Sequence, residues 1–218
     1  MIPLKKSLQR ILIILCGVIA GAIISSVLFA LTGFSLFGRV REETAPLAET
    51  TNAELTSLAY RIVNYIKTGD YSALSYVAHP EFGVVFSPRA TVTLSTNRCF
   101  SPEQIAAFGA DTNTYVWGIR NGSGEPIEMT PADYFAAYIF DKDYSEAALI
   151  GVNQIVRSGN ALENITDVFP DVKFVDFYVA GGDRESAEGL SWSSLRMGFE
   201  EFEGSLMLTV IVHSEWTE

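Results

Sequence analysis

The chain has only two histidines, and each opens an H-x-E triplet: His79-Pro80-Glu81 and His213-Ser214-Glu215. In an extended chain residues i and i+2 point to one side, so each triplet would aim an imidazole and a carboxylate together. Side by side, the two would make a His₂Glu₂ metal site. Nothing in the spacing joins them, and two structural histidines are the plainer expectation. His79 follows a helix end, where an imidazole commonly bonds the last carbonyls. Cys99 is the one thiol outside the apolar N-terminal run. No G-x-S-x-G elbow accompanies it, so it reads as a lone buried cysteine. Asp141/Asp143 and Glu200/Glu201 pair carboxylates as general acid–base chemistry needs, but their polar contexts suit a charged surface. Asp141-Lys142-Asp143 lacks the Gly and Glu of a calcium loop. No phosphate-cradling loop or ligand cluster asks for a cofactor. Asn121-Gly122-Ser123 and Asn164-Ile165-Thr166 fit the glycosylation sequon.

A ligand-binding expectation comes instead from strand register. If Glu203-Gly204 is a two-residue hairpin loop, residues whose numbers sum to 407 face each other. Phe199 then meets Leu208, Met197 meets Val210 and Leu195 meets Val212, an apolar face that belongs in a core. The opposite face pairs Glu200 with Met207, Gly198 with Thr209, Arg196 with Ile211 and Ser194 with His213. In the preceding strand Asp176 and Tyr178 alternate with Val175, Phe177 and Val179. Asp176, Tyr178, Arg196 and His213 would thus share the non-core face, with Trp117 joining from an earlier strand. An aromatic, an acid, a guanidinium and an imidazole on one sheet face suit a small polar ligand or a peptide end. The plainer reading is a wet face with an Arg196–Asp176 pair worth at most about 1 kcal/mol.

These residues must be positioned by the elements around them. Residues 11–38 form an uncharged run of 28. Roughly 20 apolar residues span a bilayer, whereas a signal-peptide h-region needs only about 7–15. The run reads as an uncleaved transmembrane helix. Leu15 before Cys16 argues against a lipobox. Lys5, Lys6 and Arg10 precede it, while Arg39 and Arg41 follow it beside Glu42 and Glu43, which favours a cytoplasmic N-terminus. Gly17, Gly21 and Ser25 share one helix face, where small residues would let two copies associate. Residues 1–41 carry +5, whereas 42–218 carry ten basic and 26 acidic residues, leaving −16. Such an acidic body repels phosphate backbones, so nucleic acid is not an expected partner.

Residues 39–51 contain Pro46 and no apolar period, so they read as a linker. From Asn52, expected as the cap, Leu55, Leu58, Ala59, Ile62, Val63 and Ile66 keep the spacing of one buried helix face up to Gly69. A second helix runs from about 71 to 78 and must stop before Pro80. Strands are expected over 83–87, 90–95, 114–119, 172–179, 195–202 and 205–213. Short helices should start at Ser101-Pro102 and Thr130-Pro131. Residues 143–160 fit either helix or strand. The predicted class is α+β: an N-terminal transmembrane helix, then one domain whose N-terminal helices pack on a curved, mostly antiparallel sheet. Its segments are a cytoplasmic tail (1–10), the membrane helix (11–38), a linker (39–51) and the extracytoplasmic domain (52–218).

Four stretches, HPEFGVVFSP (79–88), YVWGIRNGSGEPIEMT (115–130), SGNALENI (158–165) and GLSWSSLRMGFEEFEGSLMLTVIVHSEWT (189–217), resemble an extracytoplasmic domain family of Gram-positive bacteria. The resemblance implies a secreted or anchored domain with the helix-then-curved-sheet arrangement of NTF2-like and cystatin-like folds. It implies no catalytic residues. The expected function is a membrane-anchored binding or interaction module. The alternative is a hydrolase-type enzyme working from the Arg196/His213 face.

Overall fold

The computed structural model describes residues 51–120, 122–181 and 191–216. The expected membrane span, its Gly17, Gly21 and Ser25 face, the tail and residue Asn121 lie outside the described residues. Among those described, no helix is long and apolar enough to cross a membrane.

Helix α1 (Asn52–Thr68) buries the six apolar residues that the spacing selects. Its cap is Thr51, one residue before the expected Asn52. The Thr51 hydroxyl accepts from the Glu54 amide, and the Glu54 carboxylate accepts from the Thr51 amide, so two orphan donors are satisfied at once. Gly69 ends the helix in the left-handed region at φ 68°. Short helices α2 (Tyr71–Val77) and α3 (Pro102–Ala106) follow, the latter capped by Ser101 with proline in its first turn. Helix α4 (Pro131–Tyr134) runs straight into a π-helical turn, Phe135–Ile139. The last helix, α5, is Ile165–Val168.

The fold is α+β. Six strands make one sheet in the order β2 (Arg98–Phe100), β1 (Val84–Ser87), β8 (Ser205–Glu215), β7 (Ser193–Phe202), β6 (Lys173–Val179), β5 (Leu149–Val152). All neighbours run antiparallel except β1 and β8. Strands β3 (Tyr115–Ile119) and β4 (Pro126–Met129) form a separate hairpin. Residues 90–95, expected as a strand, are irregular. Val92 exchanges its backbone hydrogen bonds with the Asn164 side chain instead, which satisfies the buried amide without a ladder. Because that amide nitrogen is engaged on the Val92 carbonyl, the Asn164 sequon is held shut by the fold.

Both faces of the sheet are covered. One packs Val175, Phe177, Leu195, Met197, Phe199 and Ile211 against α1 and the aromatic helices. The other packs Phe174, Val210 and Val212 against Ile165, Val172 and the chain around α5.

The terminal hairpin turns at Glu203-Gly204, both with positive φ, as a two-residue turn of that twist requires. From Phe199–Leu208 to Phe202–Ser205 the expected register holds. Beyond it an extra residue, Thr209, bulges from β8, and every later pair shifts by one: Gly198 meets Val210, Met197 meets Ile211, Arg196 meets Val212 and Leu195 meets His213. Since side chains alternate with period two, one inserted residue exchanges the faces. Gly198 makes room for this. A Cβ there would lie 2.6 Å from Val210 Cγ1 and 2.8 Å from Val172 Cγ2.

Candidate functional site

The bulge separates the residues expected to form one site. Asp176, Tyr178 and Arg196 stay on the face covered by residues 153–172, whereas His213 moves to the face covered by helices. Trp117 belongs to the core on the helix-covered side, beside Phe86 and Phe100, and not with Asp176 and Arg196. It is fully buried, stacks on Tyr134 with ring centroids 3.7 Å apart, and donates from Nε1 to the Met129 carbonyl at 3.0 Å. The structure therefore corrects the single-face arrangement of Trp117, Asp176, Tyr178, Arg196 and His213.

On the first face Arg196 is wholly buried. Its Nη1 lies 2.5 Å from Glu163 Oε2 and its Nη2 3.5 Å from Asp176 Oδ2. The Val156 amide also donates to Asp176 Oδ2 at 2.9 Å. Burial pushes the Asp176 carboxyl up, and Arg196 pulls against that shift. Tyr178 accepts at its hydroxyl from Arg157, whose guanidinium also lies over Trp192. Two acids face the one guanidinium, so no positive charge is left over for a ligand. This is an internal tie between the loop 153–163 and the sheet.

The second face holds a polar cluster that the sequence does not announce. Ser193 Oγ lies 3.1 Å from His213 Nε2, and Asp141 Oδ1 lies 3.5 Å from that same nitrogen. The Tyr144 hydroxyl donates to Asp141 at 2.6 Å and sits 2.5 Å from Ser193 Oγ. Its only proton is spent on Asp141, so Ser193 donates to Tyr144 and accepts from His213. A serine, a histidine and an aspartate are thus together, but not as a hydrolytic triad. There the acid holds the imidazole nitrogen opposite the nucleophile; here both partners meet Nε2, and Nδ1 is buried with no partner. Ser193 and His213 are 2% and 1% exposed, which leaves no approach for a substrate. Asp141 and Ser193 lie far apart in the sequence, in the middle and the last third of the domain, so only the fold could reveal the group.

Asp141 titrates low: burial raises its carboxyl, and hydrogen bonds from His213 and Tyr144 more than offset that. A depressed folded pKa adds stability above the unfolded carboxylate range and loses it as pH falls through the folded value. Asp141→Asn should therefore lower the urea midpoint at pH 7, with the gap to wild type closing below about pH 4. A gap that stays constant in acid would contradict this role.

His79 serves the backbone. Its Nδ1 accepts from the amides of Glu81 and Phe82 at 3.2 and 3.1 Å. Its own amide donates to the Leu208 carbonyl, five residues and about 16 Å of strand from His213. The two H-x-E triplets do not meet, and among the described residues no group of three or more acidic, histidine or cysteine side chains is placed to hold a metal. Cys99, expected buried, is exposed on the edge strand β2. Its Sγ lies 3.0 Å from the Phe82 carbonyl, and desolvation pushes the thiol pKa up.

The described residues also line open concavities. One, of about 360 Å³, mixes Lys173 with Glu200 and Glu201 beside Phe82 and Phe202. Another, of about 530 Å³, lies between the segment 89–97 and the tip of the β3–β4 hairpin and carries Arg89 and Arg120.

No family model matches this sequence, and neither does any of the curated proteins. The crystal structure of a DUF4783 family protein from Bacteroides ovatus aligns with 72% of this chain and 94% of its own, at 11% identity and a TM-score of 0.27. At that score nothing about fold or role is carried over.

Proposed function

We propose that this chain is a single-pass, membrane-anchored extracytoplasmic module that works by binding rather than by chemistry. One observation carries the reading. The groups that look reactive in the sequence, His79, His213 and Arg196, are at most 2% exposed and find their partners inside the fold. The Arg196/His213 hydrolase alternative has no common face to work from. The uncharged run 11–38, the basic flank before it and the acidic residues after it support the anchor, with the N-terminus in the cytoplasm. Gly17, Gly21 and Ser25 supply a face on which two anchors could associate. The resemblance to Gram-positive extracytoplasmic domains, with the curved sheet of NTF2-like and cystatin-like folds, is in keeping with this placement.

Cys99 offers a test of the location. In a Cys16→Ser variant, a membrane-impermeant maleimide at mildly alkaline pH should label Cys99 in intact spheroplasts. Labelling only after detergent would overturn the outward orientation.

A further inference from the structure

The domain outside the expected anchor is strongly acidic, and four of the ten basic residues of 42–218 are visibly committed. Arg196 is held by Glu163 and Asp176, Lys67 by Asp143, while Arg98 and Arg157 lie over aromatic rings. Arg89 and Arg120 differ. They share one groove of about 530 Å³; among the described residues its lining contains no carboxylate, and neither guanidinium has an ion-pair or hydrogen-bond partner. Arg89 is also half-buried. Taking a guanidinium partly out of water without a partner costs free energy, so the position is poorly explained by stability.

The groove's other groups point the same way. Asn97 Oδ1 accepts from the Thr93 amide at 2.6 Å, which leaves the Asn97 NH₂ as a further donor. The groove is also fixed in place. Thr91 donates to the Leu162 carbonyl, and the two-ended Asn164 clasp holds Val92 against the start of α5. Two planar donor forks and an amide on a braced loop match an oxygen-bearing anion, which guanidinium binds in pairs of parallel hydrogen bonds. The volume falls in the usual range for small-ligand sites.

We propose that the groove between Arg89 and Arg120 binds a small ligand through an oxyanion, either a carboxylate or a phosphate group. This rests on the reading of the chain as a binding module and names the chemistry of its ligand.

The test is calorimetric titration of the full chain in uncharged detergent at low salt, with inorganic phosphate, glycerol phosphate and succinate as separate probes. At least one should bind saturably at one site per chain. That affinity should fall at least tenfold in Arg120→Gln and in Arg89→Gln, with the melting temperature of Arg120→Gln unchanged because that side chain is exposed. The probe that binds tells phosphate from carboxylate. Absence of saturable binding by all three, or saturable binding unchanged in Arg120→Gln, would overturn the groove assignment while leaving the module reading in place. Turnover of a probe that disappears in Ser193→Ala would instead overturn the module reading.

Discussion

Arg196→Ala should destabilise the domain by roughly 3–5 kcal/mol at pH 7, as removal of one partner from a buried ion cluster usually does. The guanidinium is wholly buried, and its removal leaves Asp176 and Glu163 facing each other beneath residues 153–163, with Asp176 fully enclosed. The cost should depend on pH in a definite sense. Burial already raises the folded Asp176 carboxyl above its unfolded value. A raised folded pKa gives stability below the unfolded pKa that is lost as pH rises through the folded one. Without Arg196 that folded value climbs further, so the variant should be worst at neutral pH and recover part of its deficit near pH 4. Urea melts of wild type and variant at both pH values measure this. A loss within about 0.5 kcal/mol at pH 7 would mean that Arg196 lies on a wet face after all.

Phe199→Ala should cost a similar amount, about 3–5 kcal/mol, because a fully buried phenylalanine leaves a cavity that the surrounding sheet cannot close. Its neighbour Glu200 points to the other side and is partly exposed, so Glu200→Ala should stay within about 0.5 kcal/mol. The contrast tests the hairpin register directly. Equal losses would place the strand one residue out.

Local pattern carried much of the architecture. The apolar spacing of α1 names its buried face residue for residue, and Glu203-Gly204 places the terminal turn. These features depend on a few consecutive residues, which is why they are legible. The expected site depended on extending strict alternation across the whole hairpin, and a single residue at Thr209 reverses it. Gly198, alone in the middle of a strand, was the available signal, since such a glycine often marks a bulge or a close approach. Trp117 misled for a different reason: an indole suits a core and a ligand site equally, and only the ring of Tyr134 against it decides. Residues 143–160 fit either helix or strand; they supply a short turn at Tyr144–Glu146 and strand β5, and the rest is held by distant side chains, as the Val156 amide is by Asp176. Contacts across that much sequence leave no local trace.

Under the proposed function, the chemically capable side chains are internal scaffolding and the domain acts through its open surface. The histidines allow a direct measurement. The folded full chain is treated with diethylpyrocarbonate, and carbethoxylation of His79 and His213 is followed by mass spectrometry, with the urea-unfolded chain as reference. Both imidazoles are 2% exposed or less, so neither should react until the chain unfolds. Rapid modification of His213 in the folded protein would contradict the account, because it would mean that the Ser193–His213–Asp141 group opens to solvent and to substrates.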